Sequence, residues 1–200
     1  MDFDKDKKEC LDKLYLPDKS KKGNVDDAII DLIDDLNKTE DYYTTSSCAG
    51  RIVLIAVPKI RKKHEAEWLF VSHDPITVDK IQEIITNPPE LKLWFKQESP
   101  IFHVACRTIE AAQDIVDKAK HVGFKRAGIM CSRKRIIVEM CGTESMETII
   151  AEKNKLLCSK EYIESLIQEA NIKMATSRDK MNAFHKQIKN LHVIWKSEFQ

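Results

Sequence analysis

The longest uncharged apolar run in the chain is Ile52-Val-Leu-Ile-Ala-Val-Pro58. A helix that crosses a bilayer needs about 20 such residues, so the sequence offers no transmembrane helix. The β-branched content of the run reads as a strand. Similar runs recur at residues 68–73, 91–96, 101–106, 127–131 and 135–140, with 145–150 as a further candidate. Helical periodicity lies between and around them. Val25, Ile29, Leu32, Ile33 and Leu36 make one face of a helix over 25–37, with Asn24 as its N-cap and Asp26 and Asp27 in its first turn. Thr108 caps a helix over 109–121 with Gly123 beyond its end. A short helix is expected over 77–86 and a long one over 159–199, while residues 1–22 start weakly helical until Pro17. The pattern predicts an α+β fold. Helix 25–37, a small-residue strand with Cys48 and then 52–57 are echoed by helix 109–121, a strand with Cys131 and then 136–140. Two β-α structural repeats within a single domain, residues 1–200, fit this echo.

Several function classes are closed off early. Only five glycines are present and neither G-x-G-x-x-G nor a Walker A loop occurs, so the usual dinucleotide and triphosphate sites are absent. Net charge is +1, which excludes a polycation but not a basic patch. The opening residues lack the apolar core of a secretory signal, so a cytoplasmic protein without membrane association is expected. Its six scattered cysteines then read as mostly buried thiols. None sits in a C-x-x-C pair, and no metal is expected.

The sharpest segment is Thr44-Thr-Ser-Ser-Cys-Ala-Gly-Arg51, with four hydroxyls, a thiol, a glycine and an arginine ahead of an apolar strand. It reads either as a polar pocket for an anion or as a hydroxyl-rich edge strand. Gly50 would allow close backbone approach, and Arg51 offers a planar fork for carboxylate or phosphate. Cys48 as a nucleophile would need a nearby base, and a small buried thiol is the simpler reading. His73 and His103 each interrupt an apolar strand, as structural hydrogen-bonders or as bases titrating near neutrality. Basic groups recur at residues 19–22, 59–63, 125–126, 133–135 and 178–189. They are either solvated turns or a face for phosphodiester.

Six blocks arrive in a recognisable order. They are Lys21-Lys-Gly-Asn-Val-Asp26, Tyr43-Thr-Thr-Ser-Ser-Cys-Ala-Gly-Arg51, Trp68-Leu-Phe-Val-Ser-His73, Ser99-Pro-Ile-Phe-His-Val-Ala-Cys-Arg107, Gly123-Phe-Lys-Arg-Ala-Gly128, and Glu161-Tyr-Ile with Ala170-Asn171. This set resembles the wybutosine-synthesizing protein 3 family over nearly the whole chain. Thr44 and Ala127 stand where the family more often has Ser, and Ser99 where Glu precedes the proline. The resemblance implies a methyltransferase that uses S-adenosylmethionine (SAM). Its substrate would be the 7-aminocarboxypropyl-demethylwyosine base beside the anticodon of tRNA(Phe), methylated at N4, a step in wybutosine biosynthesis. It implies one barrel-like mixed sheet with helices outside and a long C-terminal helix, not a Rossmann-type methyltransferase. Other enzymes of the wyosine pathway would act in trans.

Residue roles follow from that resemblance as expectations. Ser46, Ser47, Cys48, Gly50 and Arg51 line the donor site. Arg51 faces the donor's carboxylate or a tRNA phosphate rather than the sulfonium, because like charges repel. Asp26 holds the donor's ammonium or ribose, or acts as base. His73 or His103 takes the N4 proton. Lys22, Arg107 and Arg126 hold the anticodon stem-loop, and Tyr43 or Trp68 stacks on the tricycle. A non-catalytic tRNA-binding module of the same fold is the first alternative, and a thiol enzyme using Cys48 the second.

Overall fold

The computed structural model describes residues 2–14, 25–58 and 66–198. In chain order its elements are α1 (Phe3–Leu14), α2 (Ile30–Lys38, entered through a 3-10 turn at Asp27–Ile29), β1 (Tyr42–Cys48), β2 (Arg51–Val57), β3 (Glu67–Ser72), α3 (Gln82–Thr86, again after a 3-10 turn, Val78–Ile81), β4 (Lys92–Glu98), β5 (Ile101–Cys106), α4 (Ile109–His121), β6 (Arg126–Cys131), β7 (Ile136–Cys141), β8 (Met146–Glu152), β9 (Lys155–Leu156) and α5 (Lys160–Glu198). They form two compact units. The first takes the described residues of Met1–Ala49, Pro100–Thr143 and Arg178–Gln200; the second takes Gly50–Ser99 and Glu144–Ser177.

In the first unit the sheet runs β1-β5-β7-β6, every neighbour antiparallel. One face buries Phe102, Val104, Val138 and Met140 under α2, α4 and Met181, Phe184 and Ile188 of α5. The stripe Leu32, Ile33 and Leu36 supplies α2, and Ala112, Ile115, Val116 and Ala119 supply α4. At the centre Phe124 meets Phe102 and Phe184 edge to face, its ring centroid 6.1 Å from each. The Thr108 hydroxyl accepts from Ala111 N at 3.1 Å and caps α4 as expected. At the other end, Gly123 N donates to Lys120 O and Phe124 N to Ala119 O, which closes the helix through a left-handed residue, Gly123 at φ +99°. A Cβ there would lie 3.0 Å from Lys180 Cε. Gly123→Ala is therefore expected to cost about 1–2 kcal/mol in chemical denaturation, chiefly from the backbone; no loss would mean that the φ relaxes.

Asp35 of α2 fastens α5 in this unit. Its carboxylate accepts from Lys38 Nζ at 2.9 Å and from His185 Nε2 at 2.7 Å. Those bonds, Lys38 first, hold its carboxyl down at about 2. A carboxyl lowered on folding stabilises fully above its ordinary pKa near 4 and loses that contribution as pH falls through about 2. Lys38 is largely exposed, so solvent screening trims the effect. Asp35→Asn should cost about 1–2 kcal/mol at pH 7, a gap that closes toward pH 2 in urea titrations.

In the second unit the sheet runs β3-β2-β4-β8-β9, again antiparallel throughout. Ile52, Leu54, Leu93, Phe95 and Ile150 bury one face against Ile81 and Ile85 and against the α5 stripe of Ile163, Leu166, Ile167, Ala170 and Met174. The Asn171 side chain both accepts from Ile76 N (3.0 Å) and donates to Ile76 O (2.8 Å), which fixes the loop after β3 on that helix.

Three expectations are corrected. Among the described residues there is no closed barrel and no mixed sheet, but two antiparallel sheets. The β5-α4-β6 segment does form a β-α-β unit, yet β7 lies between its two strands and pairs antiparallel with both. That insertion removes the parallel contact a mixed sheet needs. A turn separates the hydroxyl-rich strand from the apolar strand that follows it. The chain turns at Ala49-Gly50, with Gly50 at φ +82°, and β1 and β2 enter different sheets. The echo holds for its first half, since α2-β1 and α4-β6 supply the two edge strands of one sheet; it fails at β2 and β7, which belong to different sheets. Lys22, Asn24, the rest of the basic group at 19–22 and the one at 59–63 lie outside the described residues.

Candidate active site

In the first unit a polar line crosses three strands. Ser46, His103 and Glu139 are direct cross-strand partners, and such partners point to the same side of the sheet. Ser46 Oγ lies 2.7 Å from His103 Nδ1, and Glu139 Oε2 lies 2.9 Å from His103 Nε2. A register shift between Thr44 and Ser46 brings Ser46 opposite His103. Ser47 points the other way, opposite Phe102, and its Oγ is buried without a protein partner among the described residues. Cys48, half-buried, pairs with Ile101 at the strand's end. Asp26, just before the turn into α2, accepts from Ala49 N at 2.7 Å. It thus places a carboxylate beside the end of the hydroxyl-rich strand.

In the second unit Gly50 is buried, and its carbonyl accepts from His73 Nδ1 at 3.0 Å. Arg51 Nε donates to Glu98 Oε2 at 2.7 Å, its partner across β2 and β4. The guanidinium lies 4.7 Å from the Trp68 ring centroid, a cation–π contact, and the indole is 50% exposed. Nε is the nitrogen spent on Glu98, which leaves the terminal fork of Arg51 outside that bond.

The family model described as methyltransferase TYW3 matches residues 5–190. A Pyrococcus horikoshii protein named tRNA(Phe) 7-((3-amino-3-carboxypropyl)-4-demethylwyosine(37)-N(4))-methyltransferase 1 is 35% identical over 191 residues, covering 95% of this chain and 96% of its own. The chain belongs to the methyltransferase TYW3 family. A Xenopus laevis tRNA wybutosine-synthesizing protein 3 homolog is 35% identical over 172 residues, 84% of this chain and 68% of the relative. A solved structure of the PH1069 protein from Pyrococcus horikoshii superposes with a TM-score of 0.86 at 34% identity, over 93% of this chain and 95% of that one.

For this methyltransferase the remaining candidates separate by their surroundings. Tyr43 is 1% exposed, its ring against Phe3 at 5.1 Å and its hydroxyl donating to Asp6 at 3.0 Å. Burial first, then Asp6, pushes the phenol up to about 12. No open ring face remains for a base, and of the two stacking candidates Trp68 is the one with an accessible ring. Arg107 is bound to Asp4 (2.7 and 3.1 Å), Asp41 (3.2 Å) and the Glu40 carbonyl (3.0 Å), with Phe3 under its guanidinium. Arg135 likewise grips Asp6 at 2.5 and 2.7 Å and holds that carboxyl below its ordinary range. Together with Arg133 and Lys134 these residues line a cleft of about 200 Å³ whose paired arginines anchor α1. Arg126 is exposed at the start of the edge strand β6, opposite Cys141.

Two functional candidates escaped the sequence reading. Glu139 is the one charged residue of β7, flanked by Val138 and Met140; a lone carboxylate in an apolar strand was the available signal. Glu98 gave none, because its pairing with Arg51 depends on a register that only the folded sheet reveals. Among the described residues no helix is long and apolar enough to cross a membrane.

Proposed function

We propose that the protein transfers a methyl group from SAM to the N4 ring nitrogen of the 7-aminocarboxypropyl-demethylwyosine base of tRNA(Phe), a step in wybutosine biosynthesis. The observation that carries this reading is the family match over residues 5–190, together with a relative of that named activity aligned along 95% of the chain. The protein works in the cytoplasm, on tRNA made ready by other enzymes of the pathway acting in trans. The antiparallel sheets and the absence of a glycine-rich phosphate loop favour a donor site unlike the Rossmann type.

SAM brings an electrophilic methyl group, so the protein supplies alignment and removal of a proton. The segment Ser46–Arg51 holds the donor. The buried, unpartnered Ser47 Oγ suits a polar ligand atom, since a buried hydroxyl left unpaired costs about 1–3 kcal/mol. Arg51, oriented by Glu98 and Trp68, turns its fork toward a carboxylate or a tRNA phosphate. Asp26 accepts the donor's ammonium or ribose hydroxyls beyond its bond to Ala49 N. Trp68 stacks on the tricycle, and Arg126, with Lys22 and the other basic turns, meets the anticodon stem-loop. His73 or His103 takes the N4 proton.

Calorimetric titration with SAM tests the donor assignment. Saturable binding is expected, and Arg51→Ala should weaken donor or tRNA binding about 10–100-fold, the worth of one charge-assisted hydrogen bond. Unchanged affinities for both would remove Arg51 from the site.

A further inference from the structure

The line Ser46–His103–Glu139 has a direction. A carboxylate only accepts hydrogen bonds, so the bond to Glu139 Oε2 places a proton on His103 Nε2. In the neutral ring Nδ1 then carries the lone pair and accepts from the Ser46 hydroxyl. The line runs from Glu139, 33% exposed at its side chain, through His103 at 25%, to the exposed Ser46. Both ring nitrogens are engaged and all three groups sit on paired strands, which keeps the geometry rigid. His103 thus has a basic nitrogen already joined to a hydroxyl at the surface, and a carboxylate behind it ready to stabilise an imidazolium.

We propose that Ser46, His103 and Glu139 form the proton relay of the methyl transfer, with Ser46 Oγ as the group that meets the N4–H and Glu139 as a positioning residue. The proposal rests on the methyltransferase reading above and deepens it. The N4 lone pair forms the new N–C bond while the bond from that carbon to sulfur breaks, its electron pair staying on sulfur. The N4 proton passes to Ser46 Oγ as the hydroxyl's own proton moves to His103 Nδ1. Glu139 holds the imidazolium through Nε2–H, and the extra proton leaves Nδ1 to water, restoring the neutral ring. One proton is released for each methyl group transferred. Ser46 therefore belongs to the proton path as well as to the donor segment.

The test uses the full chain and tRNA(Phe) carrying the unmethylated precursor. Ser46→Ala and Glu139→Gln should each lower kcat about 10–100-fold, a part of the 10²–10⁴ typical of a general base, and Glu139→Gln, which lies outside the donor segment, should do so with KM for tRNA and for SAM within about twofold of wild type. The double variant should lose little more than either single one, because members of one relay do not act additively. Glu139→Asp should recover part of the rate. Ring ¹⁵N shifts of His103 should report the Nε2–H tautomer in wild type and loss of that preference in Glu139→Ala, a readout independent of turnover. Full kcat in both single variants, a rise in KM alone, or an Nδ1–H tautomer in wild type would each overturn the relay. A wild-type protein that transfers no methyl group is a different failure, that of the reaction itself, and it shows before any variant is made.

Discussion

Phe184→Ala is expected to destabilise the first unit by about 3–5 kcal/mol, the range for a buried phenylalanine truncated where its surroundings cannot collapse. The ring is 1% exposed and meets Phe124 edge to face, which in turn meets Phe102. Ala112, Ile115, Val116, Val138 and Met140 belong to the same cluster, and close packing leaves them little room to fill the hole. For a chain of this size that loss lowers Tm by about 10 °C or more, read by circular dichroism. Ile172, 54% exposed on the same helix, is the control: Ile172→Ser should stay within about 0.5 kcal/mol of wild type. A fall of only a degree or two for Phe184→Ala would show that the three-ring centre is not where this unit's stability resides.

His103→Ala should have the largest effect on turnover. It removes the acceptor at Nδ1 and leaves the Ser46 hydroxyl and the Glu139 carboxylate facing a gap. Loss of a general base costs about 10²–10⁴ in kcat. Single-turnover assays at saturating tRNA and SAM isolate that step from binding. His73→Ala is the informative comparison, because His73 Nδ1 is spent on the Gly50 carbonyl. If His73→Ala loses more turnover than His103→Ala at equal donor affinity, the base lies in the second unit and the assignment to His103 fails.

Much of the fold was legible because single elements obey local rules. The helix over 109–121 was read to the residue, since Thr108 and Gly123 punctuate it and its apolar stripe repeats at helical spacing. Strands 52–57, 101–106 and 136–141 were found to within one residue from β-branched content. The two-residue β9 was missed, as a strand that short has no periodicity to read. Sheet membership was not legible. The insertion of β7 between β5 and β6 and the placing of β1 and β2 in different sheets are decided by long-range pairing, and the mixed sheet and the repeat read from adjacency in sequence failed there. The site shows the same division. Ser46, Cys48 and Arg51 stood out by composition, whereas Glu139 and Glu98 acquire a role only through cross-strand register. Tyr43 and Arg107 drew notice as an aromatic and a cation, and the fold uses both to dock α1.

The most direct measurement is mass analysis of nucleosides from tRNA(Phe) bearing the 7-aminocarboxypropyl-demethylwyosine base after incubation with the protein and SAM. A gain of one methyl group on the tricyclic base, absent when the donor is withheld, is the expected result, with fragmentation placing it on the ring at N4. An unchanged base, with SAM failing to bind by calorimetry, would contradict the account and leave a tRNA-binding module of the same fold.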